Sequence, residues 1–261
     1  MSNNVYVIGT DMIRFGRFEN ATPPGLAAQA ALLALDDAGL GIKDIQAVYS
    51  GNCGETMVGQ RMLQLIGQTG VPVVNVTNAC ATGATAFREA MIAIKAGVCD
   101  IALAVGSEKM GKGMLVRKNR AGEAIPSEGL AGSGTMPAVF SEMGMEHTRA
   151  YGTTPEQYAQ VSVKNHFHST LNPKAMYQRE TPLEDVLGAE MIAYPNTKLM
   201  CSVNVDGSAA AVLCSERKLK ELGLTSRAVK IRASALASDP FTDRNLIMPD
   251  VSTVTRNAAE A

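Results

Sequence analysis

The sequence predicts a layered α/β fold built around a largely buried sheet. Short apolar runs alternate with segments of helical period, the pattern of strands and helices packed in layers. The chain of 261 residues is 46% hydrophobic and 19% charged. That is enough to bury a sizeable core, as one large domain or two smaller ones.

The expected strands of the first part are 5–9 (VYVIG), 45–49 (IQAVY), 72–76 (PVVNV) and 100–105 (DIALAV). Helical segments lie between them at about 25–39, 56–69 and 81–96. The first ends in DDAGLG, with Gly39 placed to take the left-handed terminating position. In 81–96, Ala84, Phe87, Met91 and Ile94 recur at steps of three and four, and alanines cover much of the remainder. This helix is expected to be buried on more than one side.

From 107 to about 200 the strand signal fades. The stretch 111–136, rich in Gly, Lys, Arg and Ser, reads as loop, and helical period returns at about 138–150 and 154–168. Thr154 before Pro155 and Glu156 has the form of a helix N-cap with proline at the first helical position. An insertion of this kind is expected to cover a site rather than build the sheet. Strand patterns resume at about 201–205, 208–214 and 229–236.

The strand at 5 leads to a helix near 25, and the strand at 229 leads to a helical start near 251. The matching spacings suggest a weak internal repeat whose second copy has just begun when the chain stops at TRNAAEA. The expected organisation is an α/β core over 1–110, a covering domain over 111–200, and remaining core strands with the start of a second half over 201–261.

Lys+Arg 24 against Asp+Glu 25 leaves a net charge of −1, and no basic stripe suggests a nucleic-acid partner. The longest apolar runs, such as 208–214, are far short of a membrane span. The N-terminus has no signal-peptide pattern and the final AEA has no peroxisomal address, so a cytoplasmic location is expected. Cysteines stand at 53, 80, 99, 201 and 214 and histidines at 147, 166 and 168, without the close spacing of a zinc or redox site. Reduced thiols and no metal are expected.

NVTNACATGATAFREAM (75–91) places Cys80 between an expected strand and an expected helix. A thiol there meets unpaired backbone N–H groups and the positive end of the helix dipole, which favour thiolate and can hold an oxyanion. Gly83 in the first helical turn lets a substrate or a second backbone come close. The other reading is a small buried residue in an alanine-rich core, since free cysteine is among the most buried residue types. Cys53, Cys99, Cys201 and Cys214 have less to recommend them as nucleophiles; Cys99 and Cys214 adjoin apolar runs and read as core.

NVTNACATGATAFREAMIAIKAGVCDIALAVGSEKM (75–110) resembles the nucleophile segment of the thiolases, especially the sterol-carrier-protein type. EHTRAYGTTPEQYAQVSVKNHFHSTLNP (146–173) is similar to that subfamily's loop domain, and CSVNVDGSAAAVLCSE (201–216) to the family's DGAAA strand region. The resemblance implies a thiolase-like α/β/α layered fold, represented here by the N-terminal half with an inserted loop domain. It further implies a homodimer or homotetramer, with contact expected near strand 72–76.

The resemblance also implies covalent catalysis in which Cys80 takes an acyl group from a coenzyme A thioester or 3-ketoacyl-CoA. Coenzyme A enters as a substrate, with no permanently bound cofactor. His147 in EHTRAYG matches a position beside pantetheine, against the plainer reading of a polar helix residue, and Ser234 is a weaker candidate for the same tunnel. His166 and His168 read as structural or surface residues, and Asp206 with Gly207 as a tight turn.

The family's activating histidine, second cysteine and remaining oxyanion group belong to motifs of the type HDCF or NEAF, GHP and C-x-G, none of which occurs here. The expectation is a nucleophile without its base, inactive alone in condensation and thiolysis, with a second subunit or C-terminal half supplying the rest. Two other functions remain open: a steroid side-chain aldolase working with a partner protein, and a non-catalytic subunit that binds acyl-CoA.

Overall fold

The computed structural model describes residues 4–110, 136–238 and 252–261. In chain order the strands and helices are β1 (Val5–Met12), α1 (Pro23–Ala38), β2 (Ala47–Gly51), α2 (Val58–Ile66), β3 (Val73–Val76), α3 (Thr82–Lys95) and β4 (Ile101–Glu108). There follow α4 (Met136–Tyr151), α5 (Pro155–Thr170), α6 (Leu183–Gly188), β5 (Met191–Ala193) and β6 (Asn196–Thr197). The last are β7 (Gly207–Ser215), α7 (Glu216–Leu222), β8 (Val229–Lys230) and α8 (Ser252–Glu260). Among the described residues, contacts divide the chain into two compact units, within Met1–Lys109 plus Val205–Ser234 and within Met110–Asn204 plus Ala235–Ala261.

The first unit is a six-stranded sheet in the order β3-β2-β4-β7-β1-β8. β2 runs parallel to β3 and β4, whereas β7 is antiparallel to β4 and β1, and β8 to β1. Period-two alternation sends Ile101, Leu103 and Val105 into one core with Ile8, Val48, Val212 and residues of α1 and α2. Ala102 and Ala104 face the other way, against Ala90, Met91 and Ile94 of α3. The sheet is thus covered on both faces, and the expected α/β/α layering is observed.

α1 begins as the sequence suggests. Thr22 accepts from the Gly25 amide at 3.3 Å, and prolines occupy the first helical positions. It ends at Gly39 (φ 68°), whose amide and that of Leu40 close onto carbonyls of the last turn. α3 differs from expectation in the face it buries: Ala86, Ala90, Met91, Ala93 and Ile94 are buried, Phe87 is half-buried, and Ala84 is exposed. Small alanines allow close approach to the sheet, and that approach sets the rotation of the helix.

The second unit is mainly helical. α5 starts with a capping box in which the Thr154 amide donates to Gln157 Oε1 at 2.9 Å and Thr154 Oγ1 accepts from the Gln157 amide at 3.4 Å. Ser141 Oγ on α4 donates to the carbonyl of Ala193, tying that helix to the β5–β6 hairpin.

Two expectations change, and a third lies almost wholly outside the described residues. The pattern at 201–205 forms no strand, and only Asp206 bridges, to Gly16. The strand expected over 229–236 is limited to Val229–Lys230, after which Ile231 makes one more bond to Val5 and the backbone leaves the sheet. Alternating side chains are compatible with a strand but need a neighbouring backbone to make one. The loop expected at 111–136 lies outside the described residues except for Met136, which opens α4.

Candidate functional site

Cys80 is the middle residue of a single 3-10 turn, Ala79–Ala81, between β3 and α3. Its side chain is exposed. The turn stands at the carboxyl end of the parallel strands β2, β3 and β4, where open α/β sheets bind ligands. No side chain caps the start of α3, where Ala81 occupies the cap position. Ala79, just before the cysteine, has φ 43°, a conformation that L-residues other than Gly, Asn and Asp seldom take.

Glycines bring the first turn of α3 onto the sheet. Gly51 of β2 and Gly106 of β4 face each other in register. A β-carbon on Gly51 would lie 2.8 Å from Thr82 Cγ2, and one on Gly106 would lie 3.2 Å from Gly83 Cα. The close approach of β4 to α3 therefore depends on Gly106; a β-carbon on Gly83 itself would meet nothing within 4 Å, so the approach expected to need a glycine at Gly83 is not found there.

Four residues that the sequence did not single out surround this turn. Asn52, 4% exposed, follows β2 and donates through Nδ2 to the Ser107 carbonyl at 2.6 Å and to Glu108 Oε1 at 3.3 Å. The Asn52 carbonyl accepts from Thr77 Oγ1 at 2.7 Å. The Cys53 amide donates to Glu108 Oε2 at 2.9 Å, and the Cys53 thiol donates to the Ala79 carbonyl at 3.1 Å. Thr82 Oγ1 lies 3.1 Å from Cys53 Sγ, donates to the Ala79 carbonyl and accepts from the Asn78 amide. The available signal was positional: Asn52, Cys53 and Glu108 all fall at carboxyl ends of parallel strands, which becomes visible once the strands are paired.

Desolvation raises the Cys53 thiol above its ordinary value, opposed by the Thr82 hydrogen bond and reinforced by the charges of Glu108 and Cys80. Burial likewise raises Cys99 and Cys201, and it pushes Cys214, within β7, to about 12. Those three thiols are poor nucleophiles near neutrality.

His147 is exposed on α4 in the second unit, with Nδ1 2.9 Å from Thr153 Oγ1 and its ring 4.7 Å from that of Tyr151. Ser234 closes the first unit and lines a cavity of about 320 Å3 with Asn4, Val5, Met91, Lys95, Lys230 and Arg232. Met91 lies roughly 14 Å of helical rise beyond Thr82, the first residue of α3, so the structure does not bring Ser234 to the turn that carries Cys80.

His166 is buried, accepts from or donates to Thr181 Oγ1 at 3.0 Å and stacks on Tyr177. Asp206 accepts from the Phe18 amide at 2.8 Å and bridges Gly16 across a strand entrance, instead of forming a tight turn. Among the described residues no three His, Cys, Asp or Glu side chains cluster as metal ligands, and no helix is long and apolar enough to cross a membrane.

The chain resembles proteins of known kind along most of its length. It is 37% identical to sterol carrier protein 2 of Gallus gallus over 276 residues, an alignment covering 100% of this chain and 50% of the relative. It is 35% identical to an acetyl-CoA acetyltransferase of Methanothermobacter thermautotrophicus, covering 90% of this chain and 62% of that protein. Among solved structures, the Ltp2-ChsH2(DUF35) aldolase matches with a TM-score of 0.75 at 22% identity, covering 95% of this chain and 64% of that one. The chain spans about half the length of the sterol carrier proteins it matches. The family profile described as "Thiolase, N-terminal domain" matches residues 5–187, and the chain belongs to the thiolase family.

Proposed function

We propose that this chain carries the acyl-accepting part of a thiolase-type acyltransferase, with Cys80 as the sulfur that takes an acyl group from an acyl-CoA or 3-ketoacyl-CoA thioester. The observation that carries this reading is the exposed Cys80 in the turn between β3 and α3, ahead of a helix start that no side chain caps. Backbone N–H groups at a helix start are suited to hold the oxyanion formed when a thiolate attacks a carbonyl, although here the 3-10 turn closes the Ala81 amide onto the Asn78 carbonyl and the Thr82 amide onto that of Ala79. The relationship to an acetyl-CoA acetyltransferase supports coenzyme A thioesters as the substrate class. Coenzyme A is a substrate and leaving group here, with no resident cofactor, and the working form is a homo-oligomer.

In the half-reaction assigned to these residues, the Cys80 sulfur forms a bond to the acyl carbon and the carbon–sulfur bond to coenzyme A breaks. Coenzyme A leaves with the proton from Cys80. The carbon–carbon step needs a positioned acid/base that none of these residues supplies.

Incubation of the purified chain with acetyl-CoA is expected to release coenzyme A and to place one acetyl group on the tryptic peptide 62–88, which contains Cys80. Cys80→Ala is expected to abolish both. An acetyl group found elsewhere, or coenzyme A release that survives in Cys80→Ala, overturns the assignment. Retro-aldol cleavage forms no acyl–sulfur bond, and a non-catalytic subunit binds acyl-CoA without releasing coenzyme A. The same experiment separates all three functions.

A further inference from the structure

Resting on the reading of Cys80 as acyl acceptor, we propose that Cys53 is its resolving thiol: under peroxide the two sulfurs join in a disulfide that reversibly closes the site. Nothing in the local sequence pairs them, since they stand 27 positions apart; the fold places them on adjoining loops. The Cys53 thiol donates to the carbonyl oxygen of Ala79, the residue before Cys80, at 3.1 Å. Across a trans peptide that oxygen lies about 2.8 Å from the next Cα, so Cys53 Sγ is within about 6 Å of Cys80 Cα. Since a cysteine Sγ lies about 2.8 Å from its own Cα, the two Cα atoms are within about 9 Å, against the roughly 4.4–6.8 Å that a disulfide needs; a loop movement of a few ångströms at most closes the difference.

The turn that has to move is short. It is held by the Cys53 thiol, by the hydroxyls of Thr77, Thr82 and Thr85 and by the closure of the Ala81 and Thr82 amides onto the Asn78 and Ala79 carbonyls, not by a strand ladder. Ala79 already holds a disfavoured positive φ of 43°, so rotation there leaves a strained conformation for a relaxed one. Both thiols are exposed, whereas Cys99 and Cys201 are partly covered and Cys214 is buried.

In the first step the Cys80 sulfur attacks one oxygen of hydrogen peroxide. The O–O bond breaks, a sulfenic acid forms, and water leaves. In the second, the Cys53 sulfur attacks the Cys80 sulfur. The S–S bond forms, the S–O bond breaks, and hydroxide leaves as water with the proton from Cys53. Two thiol sulfurs are oxidised and one peroxide is reduced to two waters; a dithiol reductant returns two electrons and two protons. Because burial raises the Cys53 thiol, its thiolate fraction near neutrality is small, and the second step quickens as pH rises.

The test treats the reduced, purified chain with hydrogen peroxide and maps tryptic peptides without reduction. The expected product joins peptide 44–61, containing Cys53, to peptide 62–88 and is two hydrogens lighter than their sum. Acetyl transfer from acetyl-CoA to Cys80 should fall roughly tenfold or more on oxidation and return with dithiothreitol. In Cys53→Ser, which keeps a donor toward the Ala79 carbonyl, the loss should become irreversible as the sulfenic acid proceeds to sulfinic acid. Sulfinic Cys80 without a cross-link in the unsubstituted chain, or a cross-link from Cys80 to any other cysteine, overturns the pairing. A reversible Cys53–Cys80 cross-link in a chain that takes no acetyl group upholds the pairing and overturns the acyl-acceptor reading.

Discussion

A β-carbon placed on Gly9 would lie 2.5 Å from the carbonyl oxygen of Ala34 and 2.7 Å from both the amide nitrogen and Cβ of Ala38. These are backbone and alanine atoms that cannot swing aside, and Gly9 sits where the register of β1 against β7 shifts. Gly9 is therefore what lets α1 rest directly on β1. Gly9→Ala is expected to lower unfolding stability by about 1–3 kcal/mol, the usual cost of overpacking, read from the urea midpoint. A midpoint equal to that of the parent chain would show that α1 lifts from β1 without penalty. Ala79 poses the opposite case, an L-residue kept at positive φ by the hydrogen bonds around it.

The carboxyl end of α1 is an unfavourable place for an acidic residue, because the helix dipole is negative there. Asp37 nevertheless occupies it, and its carboxylate joins three elements. Thr10 of β1 donates its amide to Oδ2 at 2.8 Å, and Arg227, just before β8, donates to Oδ1 at 2.6 Å. The Thr10 amide foremost, then Arg227, hold the Asp37 carboxyl below its ordinary value of 3.8. A depressed folded value means that its contribution is present above the unfolded pKa and is lost as pH falls through the folded one. With Arg227 44% and Asp37 40% exposed, solvent screening limits that contribution to about 0.5–1 kcal/mol. Asp37→Asn should cost that much at neutral pH, and urea titrations in steps below 3.8 should show the gap from the parent closing. A gap that stays constant to the lowest pH would mean that the carboxylate charge plays no part in the tie.

Across the molecule, the sheet of the first unit has an open border at β3, which among the described residues pairs only with β2. Val74 on that strand is 45% exposed. An exposed apolar edge with free backbone groups is a template for pairing with another chain. The chain is expected to self-associate along β3, and Val74→Lys should shift its sedimentation profile toward smaller species. An unchanged profile would remove β3 as the contact.

Much of the fold was legible in the order of residues because it rests on local chemistry. Thr22, Gly39, Thr154 and Pro155 mark helix ends through hydrogen bonds and dihedral limits within a few residues of themselves. The apolar alternation of β4 announces a strand with two covered faces for the same kind of reason. The place of Cys80 between a strand run and a helical run was legible too, while its reading as a nucleophile came from the resemblance of 75–110 to the thiolases and not from position. Its surroundings were not legible. Asn52, Cys53, Thr82 and Glu108 reach the turn from segments up to 56 positions apart in sequence, and the parallel pairing of β2 with β3 and β4 brings their ends together. The failed strand at 201–205 and the shortened one at 229–236 have the same cause in reverse. A strand exists only where a neighbouring backbone accepts its hydrogen bonds, and that neighbour is chosen by the whole chain's folding.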